Sequence, residues 1–127
     1  MANPNIVNVG RIFANNAGFN LRNTVETVVL NNPASSSKVQ KINAISVANA
    51  NSANAVLVTV KTHSQDDAGG TDYLVVKSAV IPVGGSLIVV SKDNSLYLKE
   101  DQSVSVTSGS GGTAGGLDVF VSWEDIL

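Results

Sequence analysis

The chain has 127 residues, of which 43% are hydrophobic and 14% charged, and its formal net charge is −2. This length predicts one domain with a single core, and the apolar fraction argues against wholesale disorder. No basic surface is indicated, so we expect no nucleic-acid partner. The absence of cysteine excludes a disulfide framework, a thiolate nucleophile and a cysteine-based zinc site.

The first ten residues, MANPNIVNVG, contain neither a basic region nor an apolar stretch of signal-peptide length. No segment approaches the roughly 18 apolar residues of a membrane span. We therefore expect a protein that is made in a cytoplasm, is not exported by the usual route and has no membrane partner.

Residues 1–23 are rich in asparagine, and two hypotheses fit them equally well. They form either an extended N-terminal arm or the first strand and loop of the domain that residues 24–127 make. Pro33 ends a short predicted strand, because proline cannot donate to a ladder. In the next strand Ile42 has one parity and Ile45 the other, which predicts a bulge or twist near Asn43.

Residues 55–63, AVLVTVKTH, have the clearest alternation in the chain. One face is predicted to carry Val56, Val58 and Val60, and the other Leu57, Thr59, Lys61 and His63. A polar loop, SQDDAGG, follows, and residues 71–83 then form one long or two short strands. Gly84-Gly85 predicts a tight turn, because glycine takes positive φ without a steric penalty.

The remaining strands are predicted in SLIVV, SLYLK, SVSVTS and LDVFVSWEDI. In the last of these, Trp123 shares a face with Leu117, Val119 and Val121, whereas Phe120 lies opposite. Eight or nine short strands with no amphipathic helix indicate an all-β protein. We predict a single-domain antiparallel β-sandwich, jelly-roll-like or Ig-like.

The sequence HSQDD offers a candidate metal site, because His63 precedes Asp66, Asp67 and Asp72 within a few residues. The alternative is a solvated loop at a hairpin tip, which we favour because the spacing matches no established metal loop. We therefore predict no metal and no cofactor, with His63, Asp66 and Asp67 as the candidates to examine. A lone histidine without cysteine also argues against most hydrolytic sites.

Two further patterns invite a catalytic interpretation. GSGGTAGG, residues 109–116, resembles a phosphate loop but lacks the Lys-[Ser/Thr] ending and leads into a strand, so a hairpin loop is favoured. The carboxylate pairs Glu100-Asp101 and Glu124-Asp125 point to opposite faces of a strand and cannot converge on a substrate. We predict that the protein is not an enzyme.

Three stretches together resemble small β-sandwich virion structural proteins of tailed bacteriophages, particularly marine and cyanobacterial phages. The first is NNPASSSKVQKINAISVANANSANAVLVTV, with Pro33-Ala34-Ser35 and Lys38 at the family's positions. The second is IPVGGSLIVVSKDNSLYLKEDQSVSVTSG, with Pro82, Gly84-Gly85-Ser86, Tyr97-Leu98, Glu100 and Val104 to Thr107. The third is LDVFVSWEDIL, from Val121 to Ile126. The resemblance covers residues 24–127 and implies a sandwich of the capsid decoration or cement kind.

The resemblance implies a homo-oligomer, with a trimer favoured, that binds the major capsid protein or other virion proteins and is located in the virion. If residues 1–23 form an arm, its partner-binding anchors are Ile6, Val7, Ile12, Phe13 and Phe19. One alternative is a tail, neck or fibre adaptor subunit of the virion. Another is a host-surface or carbohydrate-binding module, in which Tyr73, Tyr97 and Trp123 stack on sugars.

Overall fold

A computed structural model describes residues 10–109 and 116–127, and within them the chain forms strands joined by short turns. No helix in this part of the chain is long and apolar enough to cross a membrane. A single 3-10 turn, Lys92–Asn94, separates the sixth strand from the seventh. The strands are β1 (Ile12–Leu21), β2 (Thr27–Asn32), β3 (Val39–Asn49), β4 (Val56–His63), β5 (Asp72–Ile81), β6 (Ser86–Val90), β7 (Leu96–Leu98), β8 (Gln102–Ser108) and β9 (Leu117–Ile126).

The nine strands form two antiparallel sheets, as the sequence predicts. Sheet A has the order β1-β9-β3-β6, with β7 also paired to β3, and sheet B has the order β2-β8-β4-β5. If β6 and β7 count as one interrupted strand, the first strand pairs with the last, the second with the next to last, and so on inward. This order is that of a jelly roll, the first of the two sandwich topologies expected.

The core lies between the two sheets and is built mainly from β-branched side chains. Val56, Val58 and Val60 of sheet B are fully buried, which confirms the face assigned to them from the alternation. Val119 and Val121 of β9 face them from sheet A and are also buried. Such residues are stiff at χ1 and pack well on a pleated surface.

The predicted irregularity near Asn43 is confirmed. The pairing of β3 with β9 shifts register between Ile42 and Ala44, so that one extra residue of β3 is accommodated. Both Ile42 and Ile45 are therefore fully buried despite their opposite parity. The tight turn at Gly84 is confirmed as well: Gly84 has φ +70°, and Gly85 N donates to Pro82 O at 2.9 Å.

Within the segment 1–23, the structure places Ile12–Leu21 in β1, which pairs with β9 over its whole length. This strand lies at the edge of sheet A. Its C-terminal half reaches the core through Phe19 and Leu21. Its N-terminal half is exposed on both faces, since Ile12 and Phe13 are 54% and 50% exposed. Residues 1–9 lie outside the described part of the chain.

Candidate interaction surfaces

His63 lies on the outer face of sheet B, where it joins residues from three other strands or their ends. It shares this face with Lys61, as the alternation predicts, because both side chains contact Asp72. His63 Nδ1 lies 2.9 Å from Asp72 Oδ1, and Nε2 lies 2.7 Å from Ser105 Oγ. Ser105 in turn donates to Glu26 Oε2 at 2.6 Å. The result is a buried histidine, 2% exposed, on the face of sheet B opposite the core.

The row Asp72–His63–Ser105 has the connectivity of a hydrolytic triad, but the environment of Ser105 does not suit a nucleophile. Ser105 is 1% exposed, so no substrate carbonyl can reach its hydroxyl in this conformation. Its backbone lies in an interior strand, opposite Val28 on one side and Lys61 on the other. The surrounding N–H groups are thus engaged in the ladder, and an oxyanion needs free donors. The arrangement ties strands together.

The pKa of the Asp72 carboxyl is lowered by this arrangement. The largest cause is the hydrogen bond from Lys61 Nζ at 3.3 Å, followed among the lowering contributions by the contact with His63. A carboxylate that accepts hydrogen bonds from cationic or polar donors is favoured in its charged form. The charged state of Asp72 therefore helps to hold β5 against β4.

The other two metal candidates are engaged in backbone and amide contacts. Asp66 Oδ2 accepts from Ala34 N at 3.2 Å, and Asp67 Oδ1 accepts from Asn31 Nδ2 at 3.2 Å. The structure does not bring them to the His63 ring. Among residues 10–109 and 116–127, no group of three or more histidine and acidic side chains is placed to hold a metal ion. The loop 64–71 instead folds over sheet B, where Ala68 N donates to Ser103 Oγ at 2.9 Å.

An open groove, which we call the β1 groove, lies at one end of the sandwich. It has a volume of about 710 Å³. One wall is the N-terminal half of β1 with the chain end that follows β9, and the other is the loop between β2 and β3. Its lining comprises Phe13, Ala14, Asn15, Pro33, Ala34, Ser35, Ser36, Lys38, Asp125 and Leu127.

The floor of the β1 groove is formed by a buried carboxylate, Asp125, which is 8% exposed. Its Oδ1 accepts from Gln40 Nε2 at 3.1 Å and from Trp123 Nε1 at 3.3 Å, and Lys38 Nζ lies 3.4 Å away. Its other oxygen accepts from Asn15 Nδ2. Such saturation is what a buried charge requires. The carboxylate thereby links β1, β3 and β9 beneath the groove.

The loop that forms the second wall is held in a strained conformation. Ser35 and Ser37 have φ values of +64° and +58°, a region that side chains other than glycine rarely adopt. The buried amide of Asn32 spans the loop, because its Nδ2 donates to Lys38 O at 3.0 Å. Ser37 N also donates to Glu100 Oε2 at 3.2 Å. The groove is therefore built in advance of any ligand.

A second surface, which we call the sheet A face, is the row Gly18–Phe120–Ser46–Ile88 across four strands. Each residue is the direct cross-strand neighbour of the next. Phe120 and Ile88 are 48% and 59% exposed. The Phe120 ring lies over Gly18, because a Cβ added there would be 3.7 Å from Phe120 Cδ1. Phe120 therefore forms an exposed apolar ridge flanked by two small residues.

One edge of the sheet A face is fixed by a polar clamp between β1 and β9. Asn20 Nδ2 donates to Asp118 Oδ1 at 2.7 Å, and Arg22 Nη2 donates to the same oxygen at 3.1 Å. These two donors, the asparagine first, lower the pKa of the Asp118 carboxyl. The clamp lies on the exposed surface, where Arg22 pairs with the charge of Asp118.

The structure places the three aromatic residues considered for sugar stacking in two different parts of the fold. Tyr73 and Tyr97, 59% and 48% exposed, line one pocket of about 210 Å³ together with Thr62, Ser64 and Gln102 among others. Trp123 is elsewhere: it packs against the core and donates to Asp125. Two of the three aromatics are thus available to a ligand.

The five predicted partner-binding residues also separate into groups. Ile12 and Phe13 are exposed, and Phe13 lines the β1 groove. Phe19 instead packs against the core of its own chain. Ile6 and Val7 lie outside the described residues. The sequence analysis missed the β1 groove, since no local pattern shows which part of an edge strand the second sheet leaves uncovered. For the sheet A face a signal existed, because Phe120 lies opposite the core residues of β9.

No protein-family model matches the chain, and neither does any curated protein sequence. Three solved structures are similar to it in fold. A structure of the T13 viral particle of IBDV gives a TM-score of 0.48 at 10% identity over 92% of this chain and 31% of the other. A structure of the infectious bursal disease virus Gx strain gives 0.46 at 11% identity over 94% and 34%. A structure of Bacillus endospore appendages, a family of disulfide-linked pili, gives 0.45 at 15% identity over 98% and 96%.

The chain spans about a third of the length of the two viral chains that it matches. At these identities and TM-scores the likenesses carry no argument about function. The jelly-roll assignment rests on the strand order of the chain itself.

Proposed function

We propose that this chain is a non-enzymatic structural protein of a tailed-phage virion, which decorates or cements the capsid by binding the lattice of the major capsid protein. The observation that carries the proposal is the sheet A face, where Phe120 and Ile88 are exposed beside Gly18 and Ser46. The family resemblance of residues 24–127 supports the choice of partner. The jelly-roll fold is compatible with the proposal, because virion proteins use this fold, although lectins and enzymes use it too.

The sheet A face has the physical features of a docking surface. Small residues around Phe120 let a partner backbone approach closely, while the ring offers an anchor for a pocket. Because Phe120 is 48% exposed, such contact can bury about half of the roughly 150–250 Å² that a fully buried aromatic side chain removes from water. Large exposed apolar side chains grouped on one face mark interaction sites more often than solvent-facing surface. We assign the capsid contact to this face.

The non-enzymatic assignment is supported by the burial of Ser105, the serine that contacts the histidine within the described residues. Ser105 and His63 are both nearly inaccessible, and Asp125 is occupied by four donors. Carboxylates, serine and histidine are thus used to hold strands together. The test is to assay a purified sample on generic ester and peptide substrates. Any background turnover should be the same for wild type and Ser105→Ala.

The experiment that tests the capsid assignment is binding to particles that lack the protein. Phe120→Ser is expected to weaken binding by at least roughly 30-fold, the lower limit for an interface hot spot, without lowering the melting temperature. The matched control is Val80→Ser, which replaces an exposed apolar residue on sheet B. Equal binding by wild type, Phe120→Ser and Val80→Ser would remove the sheet A face from the proposal.

The number of copies per particle separates the proposal from its alternative, a tail, neck or fibre adaptor. Quantitative mass spectrometry of purified virions is expected to give about one copy per capsid subunit or per small cluster of subunits. We propose a trimer as the homo-oligomer. A few dozen copies or fewer would favour the adaptor. Absence from virions would reject both.

A carbohydrate-binding role is the second candidate, and the pocket shared by Tyr73 and Tyr97 favours it. Aromatic faces beside a few polar groups are the usual arrangement for sugar recognition. Binding to a glycan array that Tyr97→Ala abolishes and Tyr97→Phe retains would support stacking by this ring. Absence of binding by the wild-type oligomer would dismiss the role.

A further inference from the structure

We infer that the row of hydrogen bonds across sheet B is built around one extra proton on His63, and that this proton acts as a pH-sensitive latch between the strands. The inference goes beyond the proposed function, because it concerns a response to pH that holds for any location of the protein. It rests on the order of the side chains in the row, on the number of hydrogens that the row needs and on the charges around the ring.

Four side chains form one continuous row across the outer face of sheet B. The strands of this sheet lie in the order β2-β8-β4-β5. Glu26 immediately precedes β2, Ser105 belongs to β8, His63 to β4 and Asp72 to β5. From Glu26 Oε2 to Asp72 Oδ1, the three successive contacts measure 2.6, 2.7 and 2.9 Å. The row therefore links all four strands in their spatial order.

The row needs three hydrogens, one for each of its contacts. An ionised carboxylate supplies none, a serine hydroxyl supplies one and a neutral imidazole supplies one. If the ring is neutral and Nδ1 carries its hydrogen, Ser105 must donate to Nε2 and cannot also donate to Glu26. If Nε2 carries it instead, Nδ1 and Asp72 Oδ1 face each other with no hydrogen between them. Two hydrogens thus serve three contacts, and the row is complete only with one proton more.

The imidazole ring is the site at which this proton binds. An imidazole is ordinarily more basic than a glutamate carboxylate by about two pH units, and an imidazolium donates from both nitrogens. Nδ1–H then donates to Asp72, Nε2–H donates to Ser105, and the Ser105 hydroxyl donates to Glu26. The Glu26 carboxylate also lies 3.3 Å from Nε2. The charged ring therefore has an ionised partner on each side.

The charges around the ring also favour a cation at this position. The titratable or charged side chains among the described residues that face His63, line its pocket or lie in the loop over sheet B are Glu26, Lys61, Asp72, Tyr73, Tyr97, Asp66 and Asp67. β8 carries no charged residue. Asp66 and Asp67 contact Ala34 N and Asn31 Nδ2 instead of the ring.

The groups that reach the ring leave one negative charge in excess. Lys61 Nζ pairs with Asp72 at 3.3 Å, so one ammonium group stands against the two carboxylates of Glu26 and Asp72. An imidazolium balances the second carboxylate. Because His63 is 2% exposed, its charge is held away from water and requires such partners on both sides.

Release of the proton opens the row at the Glu26 end. A neutral ring keeps its Nδ1–H contact with Asp72, which Lys61 also holds in place, and the Ser105 hydroxyl turns to Nε2. Glu26 then loses its donor, and its side chain, which is 37% exposed, turns to water. The contact between the start of β2 and strand β8 is therefore made with the proton bound and broken without it. An imidazole ordinarily changes charge between about pH 5 and 8, the range in which the latch responds.

The single histidine of the chain makes the test direct. The two ring nitrogens, isotopically labelled, are followed by NMR between about pH 5 and pH 9, because they give similar signals in the imidazolium and clearly different signals in the neutral ring. The backbone amide signals of residues 26–28 are recorded in the same samples. In the wild type we expect these amide signals to shift with the same midpoint as the ring.

Glu26→Gln is the diagnostic variant. Its amide can donate to Ser105 Oγ, which frees the serine hydroxyl for Nε2, so that a neutral ring completes the row. The ring of this variant should therefore lose its proton at a pH roughly 0.5 unit lower than in the wild type. Glu124→Gln, the matched control, removes the same charge from β9 in sheet A and should leave the midpoint unchanged. Ser105→Ala breaks the row and should uncouple the amide signals of residues 26–28 from the ring.

Two results would overturn the inference. One is a ring that titrates with the same midpoint in the wild type, Glu26→Gln and Glu124→Gln. The other is a wild-type protein in which the amide signals of residues 26–28 do not follow the ring. If circular dichroism shows that Glu26→Gln is unfolded, the wild-type titration decides alone. Binding to capsids does not enter these measurements, so the latch and the proposed function can fail independently.

Discussion

Replacing Asp125 by asparagine should destabilise the protein strongly, although the change leaves the number of non-hydrogen atoms the same and removes a charge. Gln40, Trp123 and Lys38 converge on one oxygen of Asp125, and Asn15 donates to the other. Asparagine keeps one carbonyl oxygen and puts an NH2 group where the second oxygen was. One donor is then left without an acceptor.

The size of the effect follows from these contacts. An unsatisfied buried polar group costs about 1–3 kcal/mol, and the remaining hydrogen bonds lose their charge assistance, which is roughly half of their strength. We expect Asp125→Asn to lower the free energy of unfolding by about 2–3 kcal/mol, which corresponds to roughly 8–12 °C in Tm for a chain of this length.

Urea denaturation followed by circular dichroism measures this loss, with the slope against urea unchanged. Glu124→Gln is the matched control, because it removes the same charge from the adjacent residue on the outer side of β9. The control should stay within about 0.5 kcal/mol of wild type. If Asp125→Asn also changes the free energy of unfolding by less than about 0.5 kcal/mol, Asp125 does not hold β1, β3 and β9 together as described.

Three further predictions concern sheet B and the turns. Folding lowers the pKa of the Asp72 carboxyl below 3.8. The stability that the charged Asp72 contributes is therefore present above pH 3.8 and is lost as the pH falls through the lowered pKa. Asp72→Asn should thus flatten the fall of Tm below about pH 4. Gly70→Ala should lower Tm more than Gly84→Ala: both have φ +70°, but only at Gly70 does a Cβ clash, 2.2 Å from Ser64 Oγ. Ser105→Ala should lower Tm by removing the partner of His63 Nε2, and a Tm equal to wild type would refute a structural role for this contact.

Much of the fold could be predicted because the information is local. Strict alternation in β4 assigns Val56, Val58 and Val60 to the core, and the change of parity between Ile42 and Ile45 locates the bulge at Asn43. These patterns arise because side chains of a strand alternate between its faces. Sheet order is different, since it depends on pairings between residues far apart in the chain.

The candidate sites were harder to predict because they depend on which surfaces are covered. Alternation places His63 on the face opposite the core, but Ser105 of β8 and Glu26, just before β2, lie against its ring and help to bury it. Phe13 and Phe19 have the same parity on one strand, yet only the second reaches the core, because sheet B covers only part of β1. Neither outcome can be predicted without the arrangement of the two sheets.

The pairing of the first strand with the last has a consequence for how the chain folds. β9 lies between β1 and β3 and is the only described partner of β1, so sheet A cannot close until β9 has been synthesised. Closing loops of this length slows folding relative to local pairing. A nascent chain on the ribosome therefore keeps β1 unpaired until β9 emerges, and premature termination before β9 leaves a product that cannot complete its core.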